Sequence, residues 1–336
     1  MGNKFGSTDN PQTRFGADRR MFDSVLKEEA LQFGEGGRLF GILTSPVKSR
    51  TVREMPVIVF LSAGFLHRVG PFRLHVRLAR ELARLGFTSL RVDLAGTGDS
   101  QSRRGLSNQQ SVAADFAEIV KFLESRVGRL PLILAGLCSG ADNAIRLVVE
   151  DFRIVGMILL DPFCFQDRGF GERVLIAKYS NPARYAAWLK RRIIAFTKPG
   201  EKVRQEAISV DPLSVRDLPT REQLRAAFGK IYERKGRVLS IFTRYATGYY
   251  NRAGQLNAIL NLNGYKQFGT ELFWPHVDHT YTLELHRRRL IEEIKTWASH
   301  YVPPRESARM RRSPFESGGI LTLDSSFEIQ QADPTK

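Results

Sequence analysis

The stretch Leu132-Ile133-Leu134-Ala135-Gly136-Leu137-Cys138-Ser139-Gly140-Ala141 passes from an apolar, strand-like run through Gly-x-Cys-x-Gly into a helix-like run. A reactive side chain on a tight strand-to-helix turn needs small residues two places before and two places after it, because neighbouring backbone passes very close. Cys138 holds the central place. A helix that starts there aims its free N–H groups and positive dipole end at the thiol, and both favour thiolate. Taking Ser139 as the nucleophile instead would put Leu137 where a glycine is needed. The plain structural alternative is a tight turn carrying Cys138 as a small buried apolar residue.

A thiol nucleophile needs a base. His279 lies in Trp274-Pro275-His276-Val277-Asp278-His279-Thr280-Tyr281-Thr282, between a short strand and the last helix. His67, His75, His286 and His300 read as surface or helix residues. His276-x-x-His279 has the spacing of a metal pair, but no third ligand of suitable spacing accompanies it, so no metal is expected. Charge developing on a carbonyl oxygen would be held by the backbone N–H of Ser139 and by one from the loop after the first core strand, where Phe65 is the expected donor. Gly96-x-Gly98 lacks a third glycine, Gln101 standing in its place, so no dinucleotide cofactor is expected.

The elements that must position these residues can be read from periodicity. Residues 1–28 are polar and read as a loose arm. Two short strands flank the turn Gly34–Gly37, and Val57–Leu61 is an apolar run of buried-strand length. Leu74, Val76, Leu78, Leu82 and Leu85 predict a helix ending at Gly86. Thr88–Val92 and Leu130–Ala135 read as strands, with a helix over Ser111–Val127 between them. A helix follows the Cys138 turn to about Glu150, and Val155–Leu160 is the next strand. This alternation is the signature of a parallel α/β sheet. The rhythm breaks over residues 162–236, which read as helices, including Ala183–Phe196 and Arg221–Arg234. It resumes with the strand Val238–Phe242, a helix near Ala253–Leu262, the strand Glu271–Trp274 and a helix from Thr282 to about His300. Residues 302–336 read as a disordered tail.

The chain has 336 residues and carries 51 Lys and Arg against 35 Asp and Glu, a formal charge of +16 that raises the question of nucleic acid. Half of that excess, +8, falls in Pro162–Gly236, and the tail is neutral, so there is no basic arm. Nucleic-acid binding is therefore not expected, and an anionic substrate or partner is. Two cysteines exclude a disulfide-stapled scaffold and a four-cysteine zinc site. No run approaches the roughly 20 apolar residues of a membrane span. The polar start has no signal-peptide character, and a cytoplasmic location is expected.

Taken together, the Gly64 loop, Asp93-x-x-Gly96-x-Gly98-Asp99-Ser100, the Cys138 turn and Asp278-His279-Thr280-Tyr281-Thr282 resemble the α/β-hydrolase superfamily over roughly residues 31–301. Phe60-Leu61-Ser62-Ala63-Gly64, His67-Arg68-Val69-Gly70-Pro71 and Gly136–Ala141 are similar to bacterial serine-aminopeptidase-like hydrolases, some of which accompany exopolysaccharide or exosortase genes. The resemblance implies a mostly parallel sheet with helices on both faces. Its core would be split into 29–161 and 237–301 by a helical lid over 162–236. It also implies Cys138 as nucleophile and His279 as base. A cysteine at this turn also resembles dienelactone hydrolases and bacterial polyester synthases, so acyl transfer stands beside ester or thioester hydrolysis.

One departure is serious. The family's acid follows the strand after the lid, yet Arg234 to Thr270 contains no Asp or Glu. Asp161 at the preceding strand end could supply the acid, Asn251 could orient the imidazole, or the pair could work without a third member. The missing carboxylate also motivates a non-catalytic binding protein. Cys164, close after that strand, could form a regulatory disulfide with Cys138.

Overall fold

The computed structural model describes residues 26–47, 55–64, 66–179 and 216–302. Its strands are β1 (Leu26–Phe33), β2 (Leu39–Pro46), β3 (Val57–Leu61), β4 (Ser89–Asp93), β5 (Leu132–Leu137), β6 (Ile154–Leu160), β7 (Arg237–Thr243) and β8 (Gly269–Trp274). They form one eight-stranded sheet in the order β1-β2-β4-β3-β5-β6-β7-β8. β1 and β2 pair antiparallel, as do β2 and β4, and all other pairs are parallel. This is the mostly parallel sheet that the strand–helix alternation predicts.

Helices cover both faces because the central strands are apolar on both sides. In β3, Val57, Val59 and Leu61 enter one core layer, whereas Ile58 and Phe60 enter the other. The first layer is closed by α2 (Asn108–Val127), α3 (Ser139–Leu147), α5 (Arg221–Glu233) and α6 (Gln255–Leu260). The second is closed by α1 (Leu74–Arg84) and α8 (Glu284–Ala298). Two further helices, α4 (Phe170–Tyr179) and α7 (Tyr265–Phe268), complete the set among the described residues. Burial on both faces explains why these strands read as continuous apolar runs rather than as alternating ones.

Differences from the sequence reading concern boundaries. β1 begins at Leu26, inside the expected arm, because residues 26–33 pair with β2 along their whole length. α2 starts at Asn108, where Ser107 and Gln110 form a reciprocal cap: Gln110 N–H donates to Ser107 Oγ, and Ser107 N–H to Gln110 Oε1. α3 stops at Leu147, short of Glu150. The expected helix Ala183–Phe196 and the expected tail from 303 to 336 lie outside the described residues, as does the middle of the expected lid, 180–215. α5 is the described helix of its C-terminal part, with Thr220 and Gln223 forming the same kind of cap.

Candidate active site

The Cys138 turn is dictated by close backbone approach. A Cβ added at Gly136 would stand 2.2 Å from the Gly140 carbonyl carbon, and one at Gly140 would stand 2.8 Å from Leu61 O. Any side chain at either place forces strand and helix apart. Cys138 itself has φ 55 and ψ −122, a region that non-glycine residues occupy only when their surroundings over-determine it. Its N–H continues the sheet by donating to Leu160 O at 2.8 Å. The side chain therefore leaves the sheet at the C-terminal edge, against the first turn of α3.

Asp161 sits one residue past β6, the neighbouring strand, also at positive φ (48). It is fully buried. Oδ1 accepts the Thr243 N–H at 2.6 Å, and Oδ2 accepts the Thr243 hydroxyl at 2.6 Å. Oδ2 also lies 2.7 Å from His279 Nδ1. The same imidazole and the Cys138 side chain act on one another's titration. Cys138, His279 and Asp161 thus form one continuous row across the C-terminal ends of β5 and β6.

His279 is delivered by the loop between β8 and α8. Asp278 shapes that loop by accepting the Thr282 N–H at 3.0 Å and the hydroxyls of Thr280 and Thr282 at 2.9 and 2.8 Å. Partial burial would raise the Asp278 carboxyl, but these donors hold it at about 2. Tyr245, just past β7, stacks on the imidazole with ring centroids 4.0 Å apart. An aromatic residue thus occupies the carboxylate-free loop, and the carboxylate that meets the imidazole stands at the adjacent strand end. Asn251 is engaged elsewhere: its Oδ1 accepts from Arg173 at 2.7 Å and its Nδ2 donates to Phe170 O at 3.1 Å.

The electrostatics favour an ion pair between thiol and imidazole. Burial pushes the Cys138 thiol up, but the His279 hydrogen bond, the charges of Arg216 and His279, and the Ser139 N–H outweigh it. The thiol ends below its ordinary range. Burial works against a charged His279, yet the hydrogen bonds and charges of Asp161 and Cys138 raise it from 6.5 to about 9. Two such groups titrate as a coupled unit. Both shifts run toward the thiolate–imidazolium form.

Arg216 is the residue that sequence reasoning missed. It lies among many basic residues of the 162–236 segment, and only its buried ion pair with Asp142 marks it out. The other expected positions divide clearly. Ser139 N–H helps to lower the Cys138 thiol, while the Ser139 hydroxyl accepts the Gly64 N–H at 2.8 Å. Phe65 lies outside the described residues. The loop that carries it is tied down at Arg68, whose N–H donates to Asp93 at 2.5 Å and whose guanidinium pairs with Asp93 and Asp99. This gives the Asp93–Ser100 motif a structural job. His276 is exposed, and His75 is a buried residue of α1. Among the described residues no three His, Cys, Asp or Glu gather as a metal ion would require. Both cysteines are free. Cys164 is buried in the core layer beneath α2 and α3, whereas Cys138 borders the other layer. Burial pushes the Cys164 thiol well up, which makes it inert.

Sheet order, the strained turn after β5 and a histidine in the loop after β8 define an α/β-hydrolase. Residues 55–228 match the family model described as serine aminopeptidase, S33. That is more than half of the chain, and the chain belongs to this family. Its elbow differs from the family's name in carrying Cys138. No curated protein matches the sequence. Among solved structures, an esterase from Pyrococcus furiosus is similar at 13% identity and TM-score 0.50, over 89% of this chain and 96% of that one. A dienelactone hydrolase from Anabaena variabilis is similar at 13% identity and TM-score 0.48, over 82% and 99%. A soluble variant of monoglyceride lipase from Saccharomyces cerevisiae gives 14%, 0.48, 83% and 97%. At these identities the likeness concerns the fold. Among the described residues no helix is long and apolar enough to cross a membrane.

Proposed function

We propose that this hydrolase cleaves esters or thioesters through an acyl-enzyme on Cys138. The thiolate attacks the carbonyl carbon, forming the S–C bond, and the resulting oxyanion is held by the Ser139 N–H and the Phe65 N–H. As the tetrahedral intermediate collapses, the bond to the leaving oxygen or sulfur breaks. The His279 imidazolium supplies the leaving group's proton. Neutral His279 then takes a proton from water as water attacks the acyl-enzyme, and the released acid restores Cys138. Asp161 fixes the ring by accepting the Nδ1 proton and stabilises the imidazolium.

The observation that carries this reading is the continuous row of Cys138, His279 and Asp161, in which the thiol is lowered and the imidazole raised to about 9. A core-filling cysteine has no use for such a partner. The same row weighs against a non-catalytic reading of the carboxylate-free loop after β7, since Asp161 replaces the acid missing there. The test is incubation with short acyl thioesters and esters, followed by intact mass and peptide mapping. An acyl adduct on Cys138 with release of acid is expected, and Cys138→Ala should abolish both. Turnover surviving that substitution would refute the assignment.

A further inference from the structure

Arg216 is held in one orientation by a buried carboxylate. Its Nε and Nη2 both donate to Asp142 Oδ2, at 2.9 and 2.5 Å. Asp142 belongs to the first turn of α3, and its Oδ1 accepts the Phe163 N–H at 2.9 Å. Nη2 also reaches Asp161 O at 3.4 Å. The Arg216 side chain is 4% exposed. Burial works against its charge, but Asp142 and then Cys138 hold the guanidinium well above its ordinary value.

One edge of the guanidinium is left over. Nη1 is buried and makes no hydrogen bond, and the same is true of the Tyr249 hydroxyl. The two groups are neighbours: the Tyr249 ring packs on Phe163 with centroids 5.4 Å apart, and the Phe163 N–H donates to the same Asp142 carboxylate that holds Arg216. The Tyr245 hydroxyl lies within reach of both Arg216 and Cys138. Two unmet donors, one of them permanently charged, therefore gather beside the proposed nucleophile. An unmet buried donor is costly and calls for an acceptor that the described residues do not supply. A carboxylate fits this demand: it accepts from both groups at once, and one of them is a guanidinium.

We propose that Arg216 Nη1 and the Tyr249 hydroxyl receive a carboxylate on the acyl group, so that the substrates are monoesters or monothioesters of short dicarboxylic acids. Asp142 is the positioning residue that turns Arg216 to do this. The proposal rests on Cys138 as the acylated residue and narrows what it is acylated with.

The test compares the mono-p-nitrophenyl ester of glutaric acid with the same ester whose free carboxylate is capped as a methyl ester. Wild type should favour the free acid in kcat/KM. Removing Arg216 alone leaves Asp142 unpaired in the core, so the informative variants are Arg216→Gln with Asp142→Asn, and Tyr249→Phe, which leaves the ion pair whole. The preference should fall about tenfold to a hundredfold in the first and severalfold in the second, as loss of hydrogen bonds to a charged group implies. Absence of a wild-type preference, or an equal loss on both esters in both variants, would overturn the proposal. The latter result would leave Arg216 acting on the thiolate alone. Glutarate binding, followed as a thermal shift, separates the two claims. Protection that Tyr249→Phe weakens, without acylation by either ester, would sink the cysteine mechanism and spare the carboxylate receptor. With neither protection nor acylation, both are refuted.

Discussion

Asp161→Asn is the sharpest perturbation of the site because it preserves shape and changes only donors and acceptors. The asparagine oxygen can still accept the Thr243 N–H in place of Oδ1. Its NH2 group then stands where Oδ2 accepts from the Thr243 hydroxyl and lies 2.7 Å from His279 Nδ1. The hydroxyl can turn and accept. The imidazole can comply only by giving up its Nδ1 proton, which leaves the proton on the edge facing Cys138. That tautomer cannot take the thiol proton. Among the influences that raise His279 to about 9, the Asp161 hydrogen bond is the largest, so the imidazole should fall toward 6.5. Cys138 then loses its cationic partner at neutral pH and should return toward an ordinary thiol. Acylation should slow on the order of a hundredfold to ten-thousandfold, the upper figure being that for the equivalent change in a serine triad. The assay is the rate of Cys138 alkylation by iodoacetamide and of acylation by a thioester, each from about pH 5 to about pH 10, a span covering both titrations. An unchanged rate and an unchanged pH profile in Asp161→Asn would refute the reasoning, because the carboxylate would then be a purely structural partner of Thr243.

Two further outcomes follow from the same geometry. Gly136→Ala drives a Cβ to 2.2 Å from the Gly140 carbonyl carbon, so the turn must open. A loss of about 1–3 kcal/mol in urea unfolding, the usual cost of overpacking, should accompany loss of Cys138 reactivity. His279 binds its proton more tightly in the fold than in the unfolded chain, where its value is 6.5. The associated stabilisation is therefore fully present below pH 6.5 and is lost as pH rises through about 9. Its ceiling is about 3 kcal/mol at 1.36 kcal/mol per pKa unit. Unfolding midpoints at pH 6 and pH 10 should differ in wild type and converge in His279→Gln.

The nucleophile candidate, the parallel sheet and the outline of most elements are legible in the chain because each is local. A Gly-x-Cys-x-Gly turn is legible as a local pattern: the space that Gly136 leaves open is taken by Gly140 and Ala141 of the same turn, although Gly140 itself makes room for the β3 backbone at Leu61. Apolar runs such as Val57–Leu61 announce burial on both faces without reference to their neighbours. His279 stands out by its place between the last strand and the last helix. Boundaries shift where a cap or a pairing partner decides them, as at Leu26 and Asn108.

What only the tertiary structure decides are the partnerships across the chain. Asp161 and His279 are 118 residues apart, and an aspartate before a proline reads equally well as a turn residue. The two meet because β6 lies beside β5 in the sheet, which sets Asp161 one strand from Cys138 beneath the loop after β8. Arg216 and Asp142 are 74 residues apart, and nothing in composition separates that arginine from the other basic residues around it. Sequence fixes the types of side chain available and the local backbone that presents them. Packing of distant strands and loops fixes which charges are desolvated together, and desolvation is what turns a cysteine, a histidine and an aspartate into coupled groups.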